Sequence, residues 1–135
     1  MFAIRTEITN PQAATFTFGE QKTVYGGKKV FVGDTVFIFA SENEGGCGLV
    51  AVGKVAVAAA VPRKPEIERQ TPRVSITVRR TALAKRSLGR RELKSYSNWD
   101  DGKPQTELNF KFYRQATNKI VGLSDAAAEF LRGYF

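Results

Sequence analysis

Histidine is absent from this chain of 135 residues. That one absence removes the usual general base, the Ser-His and Cys-His nucleophile pairs, and nearly all transition-metal sites. Cysteine occurs once, at Cys47, which excludes an intrachain disulfide and any zinc site built on several thiolates. Its expected place is that of a small buried side chain in a glycine-rich turn. Long apolar runs are missing too: the most apolar stretch, residues 49–61, is interrupted by Lys54, and Met1-Phe2-Ala3-Ile4-Arg5 lacks the basic start and apolar core of a signal peptide. A soluble, cytoplasmic chain without a membrane partner is expected. Neither an internal repeat nor a low-complexity tract is present. What remains for catalysis is carboxylate or lysine chemistry, and the paired acids Glu42 with Glu44 and Asp100 with Asp101 lie in turn-like sequence beside Gly45 and Gly102, where acids are usually only solvated. No catalytic residue, metal or cofactor is expected.

Charge is present but unevenly placed. Residues 63–94 hold eleven Lys or Arg against three Glu, which equals the net +8 of the whole chain. A local field of that sign attracts polyanions such as nucleic-acid backbones. The basic segment runs directly into Tyr96, Ser97, Asn98 and Trp99, the only Trp, so cations able to hold phosphates lie beside rings able to stack a base. A run of charge is also the ordinary signature of a solvated face.

The length suits one domain, spanning residues 1–135, and 42% hydrophobic with 25% charged residues is a globular composition. Residues 2–8 alternate as a strand with one buried face and end at Asn10-Pro11; residues 15–18 alternate again and stop at Gly19. Residues 28–32, the turn Gly33-Asp34 and residues 35–41 are dense in Val, Ile and Phe, which fit a pleated sheet. With Phe37 and Phe39 on one face and Val36 and Ile38 on the other, the strand at 35–41 is expected to be central and covered on both sides. Residues 42–48 read as a glycine-rich hairpin turn. Gly45, Gly46 and Gly48 make a weak phosphate-loop signal, because strand and not helix follows. The strand at 49–61 carries Gly53, which permits the bend a small barrel requires.

Pro62, Pro65 and Pro72 mark an excursion, after which Val74, Ile76 and Val78 alternate in a strand whose polar face carries Arg73 and Arg79. Residues 81–94 read as a basic excursion with a short helix near 90–96, residues 99–104 as a turn, and residues 108–113 as a further strand. Ser124 caps a closing helix in which Ala127, Phe130, Leu131 and Tyr134 recur at helical spacing. The expected fold is α+β: a small, partly open barrel with a few short helices, one of them C-terminal.

The run Val30-Phe31-Val32-Gly33-Asp34-Thr35-Val36-Phe37-Ile38-Phe39-Ala40-Ser41, followed by Gly48-Leu49-Val50-Ala51-Val52-Gly53-Lys54-Val55, resembles the first half of PUA-like domains, most closely the EVE group, with the YTH and ASCH domains as relatives. Asp34, Ser41, Gly48 and Gly53 match the Gly-Asp turn, the polar end of the apolar strand and the glycine-led return strand. The resemblance covers residues 25–61 and, more loosely, Leu123-Ser124 with the closing helix. EVE-like sequences often carry a tryptophan shortly before the Gly-Asp turn; here the nearest aromatics are Tyr25 and Phe31. The ASCH signature is absent, so an ASCH-like nuclease has no residues to rest on.

The resemblance implies nucleic-acid recognition and an aromatic-walled pocket for a modified or unpaired base. On these positions the candidate binding residues are Phe39 and Ser41 at the strand end, Asn43 in the turn, and Tyr96, Asn98 and Trp99 beyond the basic segment. Arg79, Arg80, Arg90 and Arg91, with Lys85 and Arg86, are the candidate phosphate holders. A non-catalytic nucleic-acid-binding module is the leading expectation, its partner RNA or DNA. Two other classes stand beside it: an enzyme acting on RNA or nucleotides through Asp100 or Asp101 with Lys103, and a basic module that docks a protein.

Overall fold

The computed structural model describes residues 1–25, 29–62, 64–66, 72–115 and 119–135. Six strands lie in the order β1-β3-β4-β5-β2-β6 and close into a barrel. They are β1 (Phe2–Thr6), β2 (Thr15–Val24), β3 (Thr35–Ala40), β4 (Gly48–Ala60), β5 (Arg73–Leu83) and β6 (Ile120–Gly122). Pairing is parallel between β1 and β3 and between β2 and β6, and antiparallel elsewhere. The barrel expected to be partly open is therefore closed. The short β6 completes it by pairing with β1 on one side and β2 on the other, which leaves no long sheet edge.

All six residues of β3 are buried, as its two apolar faces require. Val36 and Ile38 point into the barrel among Ile4, Val55, Ile76 and Val78. Phe37 and Phe39 point outward, under a helical layer that contributes Leu93, Leu108, Phe112 and Leu131. Burying a phenylalanine of this kind stabilises the fold by about 2–3 kcal/mol. The layer consists of α1 (Arg90–Leu93), α2 (Pro104–Asn109), a π-helical segment (Phe110–Gln115) and α3 (Asp125–Arg132). As expected from the sequence, the Ser124 hydroxyl caps α3 by accepting from the Ala127 N–H at 3.1 Å.

Two glycines set the curvature. Gly53 sits at a register shift between β4 and β5, and a Cβ there would lie 2.4 Å from the Arg79 carbonyl oxygen. Gly48 has φ +90°, and its Cβ would meet the Leu88 carbonyl oxygen at 2.2 Å. Only glycine allows the basic segment to approach the start of β4 this closely.

Several local expectations are corrected. The apolar residues before Gly33 do not form a strand in their described part: Val30 is buried, and residues 31–34 make a turn in which the Phe31 N–H donates to Asp34 Oδ2 at 2.8 Å. Residues 108–113, expected as a strand, are helical. Pro104 presets the first helical turn, and Leu108 and Phe112, four apart, both bury against β3. β2 runs on past Gly19 through a register shift near Glu20, whose φ is 51°. Cys47 is exposed and not buried. The Gly26-Gly27 pair, Lys28, Arg63 and residues 67–71 of the proline-marked excursion lie outside the described residues. Among the described residues no helix is long and apolar enough to cross a membrane.

Candidate nucleic-acid interface

The π-helical segment is where the two ends of the expected site meet, because its side chains leave in different directions. Phe112 packs on Phe39, with ring centroids 4.6 Å apart. Phe110 meets the edge of Trp99 at 5.5 Å, and the Arg114 guanidinium lies 5.3 Å from the Trp99 ring centre. Tyr113 turns to a polar cluster at the strand end. Wider-than-α hydrogen bonding of this kind is often found at functional sites.

That cluster is built on Glu42. One carboxylate oxygen accepts from the Arg90 backbone N–H at 2.6 Å and from the Tyr113 hydroxyl at 2.8 Å, and the other accepts from Arg5 Nε at 3.3 Å. Arg5 also donates to the Phe112 carbonyl, and its guanidinium lies 4.5 Å from the Tyr113 ring centre. Arg90 stands 5.4 Å from the same ring and donates to Asn43 Oδ1 at 3.0 Å. Burial opposes the charge on Glu42, but the Arg90 N–H, the Tyr113 hydroxyl and Arg5 together hold its carboxyl below the ordinary value. Burial, followed by the neighbouring Glu42 charge, pushes the Tyr113 hydroxyl far up. Glu42 thus latches β1, the 3₁₀ turn Glu42–Glu44, α1 and the π-helical segment together.

Trp99 occupies the other flank. It is 39% exposed and borders a cleft of about 380 Å³ lined also by Lys103, Thr106, Glu107, Phe110 and Lys111. The turn that presents it is held by the Asp101 N–H on the Asn98 carbonyl and by the Lys103 N–H on Asp101 Oδ1, both at 3.0 Å. The bond from Lys103, then one from Thr106, lowers the Asp101 carboxyl. Glu107 accepts from the Ser124 hydroxyl, the Ser124 N–H at 2.9 Å and Lys111 at 3.1 Å. Burial opposes its charge, and the Ser124 and Lys111 bonds overcome that opposition and lower its pKa.

The ten expected binding residues divide accordingly. Phe39 is wholly buried against Phe112, so it is core and cannot serve as a pocket wall; its aromatic ring is explained by packing. Ser41 is buried beside it, its carbonyl accepting from Glu44 and Gly46. Asn43 and Arg90 are brought together. Tyr96 is half-buried, with its carbonyl accepting from Asn109, and Asn98 is exposed in the Trp99 turn.

The remaining cations scatter. Arg80 donates to the Gln12 and Ala13 carbonyls, which makes it a tie for the chain between β1 and β2. Arg86 donates to the Gly133 carbonyl and stacks on Tyr134. Arg79 is exposed on the barrel wall and Arg91 on α1, each without a side-chain hydrogen bond, ion pair or ring contact among the described residues.

Sequence reasoning missed Arg5, Tyr113, Arg114 and Lys111. Arg5 had a signal: a lone cation directly after the apolar run Phe2-Ala3-Ile4, where burial would demand a partner. The others carried none, since residues 108–113 read as strand.

A closed six-strand barrel with short helices banked on one outer face is the PUA-like fold that the resemblance implied. No protein-family model and no curated protein matches the chain. Among solved structures, the fold is that of the DUF55 domain of human thymocyte nuclear protein 1, an EVE/PUA-like domain. The TM-score is 0.61 at 17% identity, over 98% of this chain and 96% of that one. A second similar structure is human THYN1 protein in complex with 5-methylcytosine-containing DNA, with TM-score 0.61 and 17% identity, over 98% of this chain and 95% of that one. At this identity the likeness is one of fold.

Proposed function

We propose that the chain is a non-catalytic nucleic-acid-binding module that takes a modified or unpaired base at Trp99. The observation that carries this reading is the place of Trp99: a part-exposed ring on a cleft, with Lys103 and Arg114 beside it. An indole stacks any base through its π-face, and flanking cations meet the phosphates on either side. The occurrence of the same fold in a complex with 5-methylcytosine-containing DNA supports the reading. So does the state of the nearby carboxylates. Asp101 and Glu107 accept hydrogen bonds that hold the turn and α3 in place, which suits them to scaffolding better than to proton transfer.

Because Trp99 is the only tryptophan, its fluorescence reports this one site. Titration with oligonucleotides containing methylated or plain cytosine, in duplex and single-stranded form, is expected to quench it. Absence of both quenching and binding at low salt would sink the reading. Binding without any change in Trp99 emission would leave a nucleic-acid module but move the base elsewhere.

A further inference from the structure

A second cationic surface lies on the barrel wall, on strands that the Trp99 cleft does not use. Strand register places four residues in one row across four strands: Thr35 of β3 beside Lys54 of β4, Lys54 beside Arg79 of β5, and Arg79 beside Thr15 of β2. Directly paired residues share a face of the sheet. Here it is the outer face, for Val55 and Val78, next in sequence to Lys54 and Arg79, are buried inside the barrel. At about 4.8 Å per strand spacing, the row is about 14 Å long. It continues into a cleft of about 210 Å³ lined by Thr35, Phe37, Val52, Lys54, Thr81, Arg132 and Phe135.

The charges on this wall are not compensated. Lys54 and Arg79 face each other across paired strands, an arrangement that like charges disfavour. Lys54 Nζ donates only to the Thr35 hydroxyl, at 2.7 Å, and Arg132 Nη2 has only the Met1 sulfur at 3.4 Å. Among the described residues the only ion pairs are Arg5 with Glu42 and Lys111 with Glu107, both elsewhere. Among the described residues no Asp or Glu lines the cleft. Three cations held together with hydroxyls and without an Asp or Glu side chain among the described lining residues form a set of groups that contacts phosphate oxygens in nucleic-acid complexes.

We propose that this row, with Arg132 at its end, is a second contact strip that takes the phosphodiester backbone of the bound nucleic acid. The assignment rests on the nucleic-acid reading above, and it explains why Arg79 is solvent-exposed and has no side-chain partner among the described residues while Arg80 and Arg86 are tied to backbone carbonyls. Each strand of a duplex carries about one charge per 3.4 Å of helix axis, and consecutive phosphates lie further apart than that along the winding backbone, so a row about 14 Å long faces about two or three of them. The strip reads no bases. It adds affinity and salt dependence equally for every sequence.

The test is a salt series of oligonucleotide binding, read by anisotropy of a labelled strand, for the wild type, the double variant Lys54→Gln/Arg79→Gln, the single variant Arg132→Gln, and Trp99→Ala. The double variant is expected to lower the slope of log K against log salt by about 1.5–2, and Arg132→Gln by about 1, with methylated and plain oligonucleotides affected alike. Trp99→Ala is expected to keep the slope. Because Arg132 is on α3, its variant answers the question even if the double variant does not fold. Wild-type slopes in both the double variant and Arg132→Gln, with binding intact, would overturn the strip and leave the proposed function standing. If the wild type bound no oligonucleotide, the proposed function and the strip would fall together.

Discussion

The two flanks of the π-helical segment both carry cations, yet they do different things with them. On the Glu42 flank the cations close on neighbours: Arg5 pairs with the Glu42 carboxylate and donates to the Phe112 carbonyl, while the Arg90 backbone N–H donates to Glu42 and its guanidinium to Asn43. On the Trp99 flank the ring is part-exposed, and Arg114 has the indole as its one contact among the described residues. Charges that close on one another hold a fold together. Charges left facing solvent beside an aromatic face are available to a ligand.

The comparison breaks most visibly at Glu42. Glu42→Ala removes the anion beside Arg5, whose side chain is 1% exposed, and is expected to cost about 3 kcal/mol of stability. A fall of roughly 10 °C in Tm would report that loss in a thermal melt. An unchanged Tm would mean that Arg5 finds its partners elsewhere and that the Glu42 flank is no latch.

Trp99→Ala is expected to do the reverse. Stability should change by less than about 1 kcal/mol, because the ring is only partly covered. Affinity for oligonucleotides should fall by about 1–3 kcal/mol, and any preference for a methylated base should go with it. Equal loss of stability at Trp99 and Glu42 would erase the distinction between the two flanks.

Acid acts on both flanks. Glu42 and Glu107 both titrate below their ordinary value near 4.5, since the hydrogen bonds they accept outweigh the cost of burial. A carboxylate with a depressed folded-state pKa contributes stability that is present above about pH 4.5 and lost as pH falls from there through the folded-state value. Denaturant melts between pH 6 and 3 should therefore show a steep loss for the wild type and a flatter one for Glu107→Gln. Identical pH curves would show that Glu107 does not couple α2 to the start of α3.

The smallest effect is expected at Arg91, exposed on α1 without a side-chain partner among the described residues. Arg91→Gln should leave Tm within about 1 °C and lower the salt slope of binding by about 1, equally for all sequences. Arg90→Gln should lose stability as well, because Arg90 holds Asn43 and stacks near Tyr113. Indistinguishable behaviour of the neighbouring arginines would mean that the Asn43 contact contributes nothing.

Much of the barrel was legible from residue pattern. The alternation of Val36, Phe37, Ile38 and Phe39 identified a strand buried on both faces, and Gly53 marked the bend. The site was legible only as a composition, cations beside Trp99. Phe39 looked like a pocket wall because it ends a strand next to a polar turn, and the ring that covers it belongs to residue 112, far along the chain. Tyr113 and Arg114 were hidden because residues 108–113 alternate like a strand, and the helix there is set by Pro104 and by burial against β3. Barrel closure was hidden as well, since three residues of β6 carry too little pattern to announce a strand.

Sequence alone determined the class of building blocks. Branched and flat side chains in alternation make strands, Ser124 starts the last helix, and the lack of histidine narrows the chemistry. Those properties are local, carried by neighbours within a few residues. Which cations remain available was decided only by the tertiary structure. Arg80, Arg86 and Arg90 look the same as Arg79 and Arg91 in a list of residues, but they donate to partners 47 to 68 positions away. A hydrogen bond forms between groups that the fold brings within about 3 Å, and no local pattern of charge encodes that distance.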